Sequence, residues 1–154
     1  MVIIVCENND NIIMRSIWRD VDLHEVNIFC KNKHISVSTR VYLSSSSIEE
    51  FTSQLIMFLQ RKKPSLFWKS GEFGNDFTPC ISFSAQKLEP TGHVQLEVFL
   101  ELDDGGDLGT HNCCFYINTE YGLLYAFAEK LYQIKGIKIG TEIALIPKKE
   151  TDYL

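Results

Sequence analysis

The chain has no excess of positive charge: Lys and Arg number 15 against 20 Asp and Glu, a formal net charge of −5. A general nucleic-acid surface needs the opposite balance to displace counterions, so direct nucleic-acid binding is not expected. No apolar run approaches the roughly 18 residues of a membrane helix. The opening Met-Val-Ile-Ile-Val-Cys turns polar at Glu7, with neither a basic segment nor a long apolar one, so no secretory signal is expected. The five cysteines (Cys6, Cys30, Cys80, Cys113, Cys114) are odd in number and show no CxxC spacing. That usage predicts free thiols in a reducing compartment, and a cytoplasmic location, rather than a disulfide framework. Prolines number only four and no Pro/Gly/Ser-rich linker interrupts the chain. The 154 residues therefore read as one domain, 1–154, long enough to bury a core without disulfide or metal staples. No internal repeat or low-complexity tract stands out.

Motifs for chemistry are also missing. His24, His34, His93 and His111 show no HxH, HxxxH or HExxH spacing, so a zinc site lacks support. Cys113 and Cys114 are adjacent in a strand-like run, where neighbouring side chains diverge to opposite faces; a redox pair is not expected. The glycine-bearing stretches 71–74 and 104–109 contain neither GxGxxG nor GxxxxGK[ST], and the second lacks the alternating oxygen ligands of a calcium loop. The sequence thus predicts no catalytic residue, no metal and no cofactor.

What is present is patterning. Val2–Cys6 reads as a short strand, 7–11 as a turn-rich break, and 12–22 shows no clean period. Val26, Ile28 and Cys30 alternate with polar or aromatic neighbours, as do Ile35, Val37, Thr39, Val41 and Leu43, which means strands with one buried face. A turn at Asn32-Lys33 would oppose Cys30 to Ile35 and Ile28 to Val37. Ser47 with Glu50 resembles a capping box, and Ile48, Phe51, Leu55, Phe58 and Leu59 follow at helical spacing. Arg61-Lys62-Lys63 suits a helix C-terminus, and Pro64 a stop. Three further strands follow, or four counting a short one at 66–69. Ile81, Phe83 and Ala85 face inward, then Val94, Leu96, Val98, Leu100 and Leu102, then Cys113, Phe115 and Ile117. A hairpin closing Leu88 on His93 opposes Phe83 to Val98. Thr119 is the expected N-cap of a second helix, with a stripe of Leu124, Phe127, Ala128, Leu131 and Ile134 and a stop at Gly136. Ile143 and Leu145 alternate weakly in the tail. Alternation with one apolar face favours antiparallel pairing. The expected class is α+β: an antiparallel β-sheet with two amphipathic helices packed on one face, a two-layer sandwich. Residues 1–22 and 137–154 are expected to be peripheral extensions.

One surface stands out. Phe29, Tyr42, Phe99 and Tyr116 fall opposite the apolar stripe, interleaved with Arg40, Glu97 and Glu101, with Asp103, Asp104 and Asp107 in the following loop. Aromatics rimmed by charge suit a partner-binding surface. The competing reading is that they stabilise the sheet as cross-strand pairs, or lie under the N-terminal segment or the tail.

The stretches IEEFTSQLIMFLQ (48–60), TGHVQLEVFLELDD (91–104) and CCFYINTEYGLLYAFAEKL (113–131) resemble those of the WapI-like bacterial immunity proteins, over about residues 26–134. The Gly92-His93-Val94 entry and the strand ending in INTEYGLL are the closest matches. The resemblance implies a small α+β antidote without catalytic motifs that binds and neutralises a cognate toxin domain. An acidic inhibitor would suit a basic toxin. Two other classes stand beside this one: a small-molecule-binding or enzymatic α+β domain with a pocket between sheet and helices, and an adaptor that self-associates through the aromatic face.

Overall fold

The computed structural model describes residues 10–74, 77–103, 111–133 and 139–147. The elements run β1 (Asn11–Arg19), β2 (Leu23–Lys31), β3 (Ser36–Ser44), α1 (Ser45–Leu59), β4 (Leu66–Ser70), β5 (Ile81–Ala85), β6 (His93–Glu101), β7 (Asn112–Glu120), α2 (Tyr121–Tyr132) and β8 (Glu142–Ala144). All pairings are antiparallel. The class is α+β, as the alternation requires. The strands form two sheets of four rather than one, ordered β3-β2-β1-β8 and β4-β5-β6-β7. The inner faces of both sheets and the buried sides of both helices share one core cluster. Leu96, Val98 and Leu100 lie in it with Phe51, Leu55, Leu124 and Leu131. Within it Phe51 stacks on both Trp68 and Phe83, at 4.2 and 5.3 Å, and these two rings lie 6.1 Å from each other.

The order of strands contains a repeat. Each half of the chain runs three antiparallel strands, a helix and a fourth strand, and each fourth strand joins the other half's sheet: β4 pairs with β5, and β8 pairs with β1. The registers match position by position. Leu23 opposes Ser44 as His93 opposes Glu120, and Lys31 opposes Ser36 as Glu101 opposes Asn112. Buried Ile48, Phe51, Thr52 and Leu55 of α1 correspond to Leu124, Phe127, Ala128 and Leu131 of α2. Each third strand runs straight into its helix, whose first N–H donates to the carbonyl before the second strand: Ser45 to Asp22, Tyr121 to Gly92. Even the edges are treated alike. A side-chain oxygen just ahead of one half's first strand accepts an N–H from the other half's third strand, Tyr42 to Thr78 and Asn118 to Asp10. An exposed edge strand otherwise offers itself for pairing with another chain.

Several expectations need correction. Residues 11–19 and 142–144, expected in peripheral extensions, are β1 and β8; Ile12, Met14, Ile143 and Leu145 are buried. Cys30 opposes Val37, not Ile35, because the Asn32 side chain accepts N–H bonds from His34 and Ile35 and holds a longer loop. The slip is two residues, so the inward face is preserved. The α1 cap is Ser44, whose Oγ accepts the Ser47 N–H, rather than Ser47. The helix closes at Arg61 (φ 60) before Pro64 is reached, with Arg61 N–H on Phe58 and Lys62 N–H on Met57 in a Schellman pattern. The Arg61 guanidinium reaches across to the carbonyls of Leu88 and Glu89. Thr119 faces the core of β7 and is buried; Glu120 holds the N-cap position of α2 without a side-chain cap. Phe83 opposes Val98 as expected, but Leu88 bridges Val94 rather than His93. Val2–Cys6, Ile134 and Gly136 lie outside the described residues.

Candidate functional site

The outward residues separate onto two sheets. Phe29, Arg40 and Tyr42 lie on the outer face of the first, where Arg40 pairs with Glu25 at 3.3 Å. Glu97, Phe99 and Tyr116 lie on the outer face of the second. Glu101 is not a surface group: it is 0 % exposed. Its position on the strand is outward, but Gly74 and Cys80 lie against it. Gly74 N–H donates to its Oε2 at 2.7 Å and Cys80 N–H to its Oε1 at 2.9 Å. Next to Gly74, Phe73 lies against Phe99, ring centroids 5.9 Å apart, so Phe99 is half-buried within its own chain. Part of the expected binding surface is therefore internal structure. Asp103 is exposed, and Asp104 and Asp107 fall outside the described residues.

What remains open is a row across the second sheet. Phe67 opposes Ser84, Ser84 opposes Glu97, and Glu97 opposes Tyr116. Phe67 and Tyr116 are 63 % and 49 % exposed. The small Ser84 leaves space between its larger neighbours. Beyond it the pairing changes step, from Ser84 opposite Glu97 to Leu88 opposite Val94, which inserts an extra residue and bends the strand. The result is a hollow of about 240 Å³ whose lining includes Ser84, Gln86, His93, Gln95, Glu97 and Tyr116. Glu97 accepts from the Cys114 thiol and from the Tyr116 hydroxyl, each at 3.4 Å. Among the described residues no cation pairs with it; Lys87 at the rim is engaged by Glu89 at 3.5 Å.

Nothing in the sequence marks Ser84 or Gln95, since a single outward serine or glutamine carries no signal, and Phe67 lies in a strand of only five residues, too short to show which side faces out. Only the sheet places them around Glu97.

The thiols do not have the setting of nucleophiles. Burial pushes Cys30 up to about 12. Burial, and then the hydrogen bond to Glu97, raise Cys114; burial also raises Cys80. A reactive cysteine needs the opposite shift, from nearby positive charge. Cys30, Cys80, Cys113 and Cys114 are unpaired, and Cys6 lies outside the described residues. Among the described residues no group of three or more His, Cys, Asp or Glu is arranged to hold a metal ion, and no helix is long and apolar enough to cross a membrane.

The equivalent place on the first sheet carries a hollow too, of about 350 Å³, lined by Arg15, Ser16, Ile17, Asn27, Ile139 and Gly140. It also sits at a register shift, between Ser16 and Trp18. Asn27 stands where Glu97 stands in the second half, and Arg15 where Ser84 stands. Both hollows open on outer faces rather than between sheet and helices. Compared with family models, curated proteins and solved structures, the chain finds no match in any of the three.

Proposed function

We propose that this chain is an immunity-type protein, which binds a cognate bacterial toxin domain in the cytoplasm and neutralises it without chemistry of its own. The observation that carries this reading is the open row on the second sheet, where exposed Phe67 and Tyr116 flank the carboxylate of Glu97. Aromatic anchors beside a charge are what a protein-binding hot spot uses. Held on a paired sheet, they lose little freedom on binding. The net charge of −5 would speed encounter with a basic toxin. The resemblance of 48–60, 91–104 and 113–131 to the WapI-like immunity proteins points the same way.

The test is co-expression with any toxin domain found encoded beside this chain, scored by growth, with the affinity of the purified pair measured by calorimetry. Rescue together with a stable complex supports the reading. Growth arrest despite a folded, abundant chain would overturn it.

A further inference from the structure

We infer that the hollow around Glu97 is a seat for an arginine side chain of a protein partner; this rests on the immunity reading and specifies what its surface would grip. The lining of the hollow holds the Glu97 carboxylate with the side chains of Gln86, Gln95 and Ser84, each able to accept, while Lys87 at the rim is paired with Glu89 at 3.5 Å. Glu97 is the group that sets the sign. An ionised carboxylate has about four lone-pair sites. Here two of them meet only the Cys114 thiol and the Tyr116 hydroxyl at 3.4 Å, which is long for a bond from a hydroxyl. The carboxylate is held in place and left under-satisfied, with no cation of its own among the described residues.

A guanidinium answers this arrangement better than an ammonium. Its planar fork can give two parallel N–H bonds to one carboxylate, and its face can lie on a tyrosine ring. Glu97 and Tyr116 are directly opposite on adjacent strands, so a single side chain can use both. A metal ion is a poorer fit, since no three His, Cys, Asp or Glu side chains among the described residues are arranged to hold one. The first sheet provides an internal control. Its equivalent hollow has Asn27 in the place of Glu97 and Arg15 in the place of Ser84. Similar backbone geometry there carries the opposite charge, so it should refuse the same ligand.

The experiment is an amide-resolved NMR titration of the whole chain with Nα-acetyl-L-arginine amide. The citrulline amide, of nearly the same shape but uncharged, and the lysine amide serve as comparisons. Arginine amide should bind with a dissociation constant on the order of millimolar and shift Ser84, Gln95, Glu97 and Tyr116, leaving Arg15 and Asn27 unmoved. Glu97→Gln should weaken it by about tenfold, the loss of a charge-assisted hydrogen bond. Tyr116→Leu should reduce the preference for arginine over lysine. Both positions are on the solvent side of the sheet, and thermal melts check that the variants fold. Equal binding of citrulline amide, or undiminished binding to Glu97→Gln, would overturn the inference. So would a concentration-dependent dimer lost in both Glu97→Gln and Arg15→Gln, because the occupant would then be a second copy of this chain. Toxin neutralisation that persists in Glu97→Gln would reject the hollow while leaving the immunity reading standing.

Discussion

The two halves of the molecule, β1 through β4 and β5 through β8, are built to one plan and finished differently. Inside, position answers position. Cys30 lies where Leu100 lies, Met14 where Phe83 lies, and Phe51 where Phe127 lies, all buried. Outside, the residues differ: Arg15 and Asn27 stand on one sheet where Ser84 and Glu97 stand on the other, and Arg40, paired with Glu25, stands where Tyr116 does. The end of the long hairpin differs as well: Lys31 on the first sheet corresponds to Glu101 on the second, which is buried and takes two backbone N–H bonds. Packing tolerates exchange of apolar groups of similar volume. The outer faces carry no such constraint, so they are where the halves are free to differ.

The largest expected effect tests the shared interior. Phe51→Ala and Phe127→Ala should each cost about 3–5 kcal/mol in urea unfolding. Phe51→Ala should be the worse by about 0.5–1.5 kcal/mol, because Phe51 stacks on the rings of Trp68 and Phe83. Because β4 and β8 are exchanged between sheets, both variants should unfold in a single transition. A separate transition for either half would break the comparison.

Glu101 and Lys31 give the next contrast. Glu101→Ala should destabilise by about 2–4 kcal/mol, since it leaves the Gly74 and Cys80 N–H groups without their acceptor. Lys31→Ala should stay within about 0.5 kcal/mol, as surface changes do. Hydrogen exchange at Gly74 and Cys80 should accelerate in Glu101→Ala alone. Equal melting temperatures for the two variants would mean that Gly74 and Cys80 are held by something else.

The smallest contrast is at the helix starts. Ser44 caps α1 through its hydroxyl, whereas Glu120 makes no side-chain cap for α2. Ser44→Ala should lower stability by about 1 kcal/mol, and Glu120→Ala by a few tenths or less. A matching loss at both sites would show that the caps are equivalent after all.

Much of this was legible in the chain because local period reports local facing. The stripe Ile48, Phe51, Leu55 and the alternation Leu96, Val98, Leu100 specified which sides turn inward, and the structure buries them. The two-residue slip at Asn32 did not disturb that, since a strand's side chains repeat every two residues. The repeat itself was not legible. Matched positions share burial rather than identity, as Ile48 with Leu124 and Thr52 with Ala128 show. Thr119 was misread as a cap for a related reason: a threonine at a strand–helix junction can serve as a cap or as core, and the register of β7 turns it inward.

By itself the sequence determined the elements from β2 to α2, their buried faces, the antiparallel α+β class and the absence of recognisable catalytic motifs, because each of these follows from spacing along a few turns or strand residues; β1, without a clean period, and the three-residue β8 did not show. The tertiary structure alone decided which strands are neighbours. No local pattern says that β4 crosses to β5, or that β8 returns to β1, because pairing depends on the closure of long loops and on a core common to both halves. It also decided the fate of the outward carboxylates. Glu97 and Glu101 occupy the same face of one strand, four residues apart. One is buried because Gly74 and Cys80 arrive from another part of the chain to hydrogen-bond it, and the other stays open because Ser84 and the change of register beside it leave a hollow.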